Sequence, residues 1–280
     1  MYYHIEGNMM DSQRDLSFTA IFQQTINFIR NRFSLIAISS IVLGLINTLI
    51  INCVIDLERL LVDLELFNQF GMVTNYVMQS LLVLYLVNVV LVSIILSIIS
   101  NLSMSNKLNP SLIFSRILSI CLNILGFSVL YMLICIPIVI VFLLVLSIIG
   151  LLLPQMVSLL LILMIGCTAL VIYKSIFNYF LVSAAQPNSM PFFQRFSACH
   201  KFFFQNWKAP VLMILISVIF TGILSGISSL LGKNIVIDVI STSLAVFADF
   251  FIFSFFYRLY SVNNSIESTK LDDNDKLIIS

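Results

Sequence analysis

Charge is what this chain has least of. Acidic and basic residues make up 10% of its 280 positions, against 60% hydrophobic residues and a mean hydropathy of +1.08. A soluble domain carries about 25% charged and about 45–50% apolar residues. The deficit excludes a water-soluble fold of this size, because too few polar groups exist to cover its surface. The net charge is +1 and no basic block occurs, which excludes binding along a nucleic-acid backbone. Metal-binding residues are equally sparse. The two histidines, His4 and His200, are far apart, and Cys53, Cys121, Cys135, Cys167 and Cys199 each stand alone. Without a CxxC or Cys/His spacing, neither a zinc site nor a disulfide framework is expected. There is no Walker A loop, GxGxxG, HExxH or GxSxG motif. No catalytic residue, metal or cofactor is therefore assigned, and the chain is not expected to be an enzyme. Residues 1–16 hold Glu6, Asp11, Arg14 and Asp15 and no apolar signal core. The first hydrophobic helix is expected to act as its own insertion signal.

Apolar runs are what the chain has in abundance. A spanning helix needs about 20 apolar residues. Spans are predicted near 34–54, 77–99, 112–136, 155–180, 210–231 and 236–257, within one transmembrane domain covering 34–260. The fold class is an all-α polytopic bundle of about six spans, with cytoplasmic interfacial amphipathic helices. Residues 1–33 form its cytoplasmic N-terminus, and 261–280, with Asp272, Asp273 and Asp275, read as a disordered cytoplasmic tail.

The placement of bases sets the orientation, since Lys and Arg favour cytoplasmic loops. With the N-terminus inside and six spans, the inside bases are Arg14, Arg30, Arg32, Lys107, Arg116, Lys174, Arg195, Lys201, Lys208, Arg258, Lys270 and Lys276; outside lie Arg59 and Lys233. The tract 112–182 is long enough for a third crossing. That version gives seven spans and leaves 6 bases inside against 8 outside, so the charge rule rejects it. The piece between the two preferred crossings, with Pro137, Gly150 and Pro154, is expected to be broken or re-entrant. The loop 55–76, with Asp56, Glu58, Asp63 and Glu65, reads either as a weak cation site or as a solvated face.

Two amphipathic stretches lead into spans. Ser17–Phe33 places Phe18, Ile21, Phe22, Ile26, Ile29 and Phe33 at helical spacing and ends with Arg30 and Arg32. It reads as an interfacial helix, or else as a frayed extension of the first span. Pro191–Lys208 is aromatic and basic, with Arg195, Lys201 and Lys208, and it contains the one tryptophan, Trp207. Bases of this kind suit anionic headgroups, and indoles suit the interface. The lipid-interface candidates are Arg30, Arg32, Arg195, Lys201, Trp207 and Lys208. The endings Phe28–Phe33 and Phe203–Lys208 look alike, either as an internal repeat or by coincidence.

Three segments carry a family resemblance: Ile26-Asn-Phe-Ile-Arg-Asn-Arg-Phe33; Phe193, Arg195, Ser197 and Asn206-Trp207; and Phe256-Tyr-Arg-Leu-Tyr260. On these the chain resembles the YciC-type inner-membrane proteins of enteric and related bacteria. The match runs nearly full length through short motifs, and it departs in the long 112–182 tract. The resemblance implies an inner-membrane location with both termini cytoplasmic. It carries over no catalytic or binding residue.

Asp249, in Ala245-Val-Phe-Ala-Asp249-Phe-Phe-Ile-Phe, lies inside the last span. An ionisable residue there is costly and marks a functional candidate. It reads as a proton- or cation-coupling carboxylate, or as a hydrogen-bonded link between helices. Asn47, Asn52, Asn88, Asn123 and Gln79 read as packing amides. Two functions follow as expectations. One is a non-enzymatic role in envelope integrity or membrane lipid homeostasis, with the lipid bilayer and anionic headgroups as partners. The other is a small secondary transporter or channel using Asp249.

Overall fold

The computed structural model describes residues 17–56, 59, 62–63, 65, 74–105, 107–152, 155–186, 190–232 and 234–278. Eight helices form among them: α1 (Phe18–Asn31), α2 (Phe33–Val54), α3 (Asn75–Met104), α4 (Pro110–Leu152), α5 (Gln155–Ala185), α6 (Phe192–Gln205), α7 (Lys208–Leu231) and α8 (Ile235–Ile278). Six of these, all but α1 and α6, are long and apolar enough to cross a membrane. The chain is an all-α, multi-pass membrane protein.

Local chemistry places the ends. Ser17 Oγ accepts from the Ala20 N–H at 3.4 Å, and Thr74 Oγ1 accepts from the Val77 N–H at 3.3 Å; both satisfy first-turn donors that a helix leaves unpaired. Gly232 closes α7 in the left-handed region at φ 79°, and Asn234 Oδ1 receives the Val236 N–H at 2.9 Å as α8 begins. Arg32, at φ −126° and ψ 21°, separates α1 from α2. α1 is thus a distinct helix rather than an extension of the first span.

Two readings of the sequence differ from the structure. The break expected at Pro137 and Gly150 is absent, because α4 runs unbroken through both to Leu152; Pro154 lies outside the described residues. Proline removes one N–H, whereas opening the helix in an apolar tract would strand several backbone groups. Between Pro110 and Ala185 the described residues form two helices long enough to cross, α4 and α5, and no third. Likewise, α8 continues to Ile278 through the stretch read as a disordered tail. Extending an existing helix avoids the nucleation cost, and no Pro or Gly interrupts this segment.

The contacts divide the chain into two compact units, one of residues 1–24, 122–216 and 255–280, the other of residues 25–121 and 217–254. The first centres on Phe127, which is fully buried with Phe180, Tyr131 and Phe177 at ring distances of 4.5, 4.8 and 5.2 Å. In the same unit Phe18 of α1 meets Phe255 of α8 at 5.5 Å. The second unit packs by small and polar residues. α2 and α8 meet where Gly44 faces Ser243 and where the Phe33 and Phe247 rings lie 6.1 Å apart. Cys121 donates to Ser93 Oγ at 3.1 Å, and Arg116 donates to Ser100 Oγ. Of the acidic loop, Asp56 Oδ1 accepts from the Arg59 N–H and Asp63 from Thr74 Oγ1, while Arg59 covers the Tyr76 ring. Glu58 lies outside the described residues.

Much apolar surface stays uncovered. The most apolar stretch of α5 has a mean hydropathy of 2.5, and none of it is buried within the chain. In water each exposed Leu or Ile would cost about 1.5–3 kcal/mol relative to burial; hydrocarbon removes that cost.

Gly44 gives the fold a sharp test. A Cβ there would lie 2.5–2.7 Å from Ser243 Oγ, Cα and N, and the last two are backbone and cannot swing away. Gly44→Ala is expected to destabilise the detergent-solubilised protein by about 1–3 kcal/mol, an overpacking cost. Thermal unfolding followed by circular dichroism measures it, with Gly226→Ala, whose Cβ would meet nothing within 4 Å, as the control.

Candidate functional site

Among the described residues outside the spans, polar and aromatic side chains concentrate on α6. Pro191 precedes it in extended conformation, and Asn206 ends it at φ −133° while still donating its N–H to Phe202 O at 2.9 Å. Between them the helix has two unlike faces.

The inner face packs on α4 and α5 within one unit. It carries Arg195, Cys199, Phe202 and Phe203, all buried. The Phe202 ring stacks on Tyr179 at 4.0 Å with an interplanar angle of 6°. Phe192 meets Phe180 at 5.4 Å, and Phe196 meets Phe127 at 5.6 Å. Such pairs are worth about 0.5–1.5 kcal/mol each beyond area burial.

Arg195 is the centre of this face. It is 4% exposed; Nη1 donates to Asn123 Oδ1 at 2.6 Å and Nη2 to Met190 O at 2.8 Å, with the Phe180 ring 5.8 Å away. Burial lowers its pKa from the usual guanidinium value, a shift that Tyr260 and Cys199 oppose. The side chain fixes α6 to α4 and to the loop before it. The sequence placed Arg195 among the headgroup contacts; the structure turns it inward, because its planar donors find acceptors there.

Two neighbours complete the inner face. His200 Nδ1 lies 2.8 Å from Phe196 O, and a carbonyl only accepts, so Nδ1 carries the proton. A neutral ring then offers Nε2 as acceptor to the Tyr131 hydroxyl, 3.2 Å away. Ser183 Oγ gives its proton to Phe180 O at 2.7 Å, which leaves the Cys199 thiol as donor across the 3.9 Å gap between Sγ and Oγ. Burial pushes the Cys199 thiol up to about 12. Neither a nucleophile nor a metal ligand results, since both roles need the thiolate.

The outer face is different. Phe193, Ser197, Lys201 and Phe204 are exposed along it, followed by exposed Trp207 and Lys208. No acidic residue occurs from 183 to 209. Beside Trp207 runs a cleft of about 460 Å³, lined by Val171 and Ile172 of α5, Phe203 and Phe204 of α6, and Val211 and Leu215 of α7.

The remaining sequence candidates are dispersed. Arg30 is exposed at the end of α1, and Arg32 is half-buried over the Phe28 ring at 4.7 Å. α1 buries Ile21, Thr25, Phe28 and Ile29 and exposes Thr19, Gln23, Arg30 and Asn31, so its outward face lacks the aromatic anchors of α6. Asp249 is half-buried in α8, between buried Val246 and Phe250. Sequence reasoning missed the Arg195–Asn123 pair and the His200–Tyr131 pair. Their members lie 72 and 69 positions apart, beyond any local spacing signal. Among the described residues no group of three or more His, Cys, Asp or Glu is placed to hold a metal.

No family model, curated protein or solved structure matches the chain.

Arg195→Ala is expected to cost about 3 kcal/mol or more. It removes a buried charge with two hydrogen bonds and leaves Asn123 Oδ1 without that donor. Lys201→Ala and Lys208→Ala are expected to stay within about 0.5 kcal/mol, as exposed substitutions do. Thermal melts in detergent separate the two classes. The Cys199 thiol is expected to resist maleimide at pH 8. Its folded pKa is raised from 9.0 to about 12, so the neutral form persists through that pH. Unfolding in dodecyl sulfate exposes the thiol and restores ordinary ionisation. Mass spectrometry of the alkylated peptide follows the change.

Proposed function

We propose that the chain is a non-enzymatic protein of the bacterial inner membrane that engages anionic phospholipid through α6, in support of envelope integrity or membrane lipid homeostasis. The carrying observation is the outward face of α6 and its junction with α7: three exposed aromatic rings, Phe193, Phe204 and Trp207, beside two exposed lysines, Lys201 and Lys208. The inner face, with Arg195, Cys199, Phe202 and Phe203 buried, holds α6 against its unit. What it leaves outside is a set that water would not favour and an interface would, with rings at headgroup depth and ammonium groups toward phosphate. The apolar cleft beside Trp207 has a volume that suits part of an acyl chain.

The uneven distribution of bases supports cytoplasmic termini, which sets α6 on the cytoplasmic leaflet, where anionic lipid gives a negative surface potential. The resemblance to YciC-type proteins points to the same membrane. A second reading is a small secondary transporter or channel using Asp249, which is half-buried in α8.

Each lysine near an anionic surface contributes about 1 kcal/mol, roughly fivefold in affinity. The double variant Lys201→Gln/Lys208→Gln is therefore expected to lose about 25-fold of the preference for phosphatidylglycerol over phosphatidylcholine, with the melting temperature unchanged. Native mass spectrometry of lipid-retained protein reads that ratio. An unaltered ratio would remove the basis of this reading.

A further inference from the structure

The last helix hairpin holds a cleft of a different kind. It measures about 550 Å³ and lies between α7 and α8, within one compact unit. Thr221, Ser225 and Ser228 line it from α7; Asp238, Ser241 and Ala245 line it from α8. It ends at Gly232, the turn residue of the hairpin.

The spacing shows that both walls are continuous. Residues 221, 225 and 228 follow the i, i+4, i+7 rhythm of one α7 face, and residues 238, 241, 245 and 249 follow the i, i+3, i+7, i+11 rhythm of one α8 face. Asp249 therefore stands on the same face as the α8 wall, one turn beyond Ala245, a rise of about 6 Å. The opposite side of α8 is occupied, since Ser243 and Phe247 meet Gly44 and Phe33 of α2.

The chemistry sets this cleft apart. The cleft between α2 and α3, near Leu43, Ile46 and Leu86, contains a single amide, Asn47. Here the walls include five hydroxyls, counting Ser229, and a carboxylate. A lone serine in hydrocarbon satisfies itself on its own helix, as Ser40 and Thr48 do on Ile36 O and Gly44 O. A carboxylate has no such refuge, and a charged group at membrane depth faces water or a partner. A cavity needs on the order of 10–15 Å³ to hold one water, so the volume is ample for many.

We propose that this cleft is a hydrated half-channel, open at the α7–α8 turn, which admits water and small cations past Asp238 to within one helical turn of Asp249. It shares no residue with α6 and stands independently of the lipid reading. The carboxylate at the mouth selects for positive charge, and the hydroxyls replace the hydration that an entering ion loses.

Cysteine accessibility tests the proposal in the full-length protein in membrane vesicles. The five native cysteines are replaced, and single cysteines are placed at Ser228, Ser225 and Ala245. Ile223→Cys and Ile227→Cys serve as controls at matching depth, where the native side chains are exposed on another face of α7. The probes are a membrane-impermeant trimethylammonium methanethiosulfonate and its anionic sulfonate analogue. The cleft positions are expected to react at least about tenfold faster than the controls, because the reactive thiolate forms only where water reaches it. The cationic reagent is expected to react faster than the anionic one, and Asp238→Asn is expected to abolish that difference. Cleft rates no greater than the controls would overturn the half-channel. So would spontaneous disulfides between copies at Ser225→Cys without labelling, which would mean that a second chain covers this face. Equal rates for the two reagents with Asp238 intact would overturn the cation preference.

Discussion

Hydrocarbon offers no hydrogen-bond partner, and each backbone amide must find one inside its own segment. This constraint turns every long apolar run of the chain into a helix, and it carries α4 through Pro137, where water would have allowed a break. It also governs side chains. Ser40, Thr48, Ser93 and Ser97 are buried, and each returns its proton to the carbonyl four residues back. Lipid competes with protein as a partner for apolar surface, so helix association here relies on close approach and polar links. Gly44 against Ser243, Cys121 on Ser93 and Arg116 on Ser100 are the forms it takes in one unit.

The other unit follows a second logic, that of rings. Phe127 gathers residues from α4, α5 and α6 around one buried centre, and Arg195 ties the same helices through Asn123 and the Met190 carbonyl. A buried guanidinium is tolerable because acceptors and an aromatic face replace its water. With Arg195 committed inward, Lys201, Lys208 and the exposed rings remain as the outward chemistry of α6. The cleft of α7 and α8 differs again, with five hydroxyls and the Asp238 carboxylate along its walls.

The all-α class, the six helices long and apolar enough to cross a membrane and the amphipathic character of both short helices were legible in residue order alone. Runs of some 20 apolar residues admit one solution in lipid, and charge marks their ends. Proline and glycine are breakers in water, which is why the 112–182 region read as broken, whereas in lipid the helix continues past Pro137. Hydropathy does not report helix extension beyond the membrane, and α8 accordingly outran its expected end.

The site was legible only in outline. Composition singled out Arg195, Lys201, Trp207 and Lys208 as one basic aromatic group. It could not say that Arg195 faces Asn123, 72 positions away, while the lysines face outward. It singled out Asp249, yet not the wall of hydroxyls leading toward it, since serines on α7 join Asp238 only once the hairpin closes. What the residue order determined is the solvent of each segment, because transfer free energies add along a chain. What tertiary structure decided is which polar group meets which, because such partners lie on different helices and only packing brings them within hydrogen-bond reach.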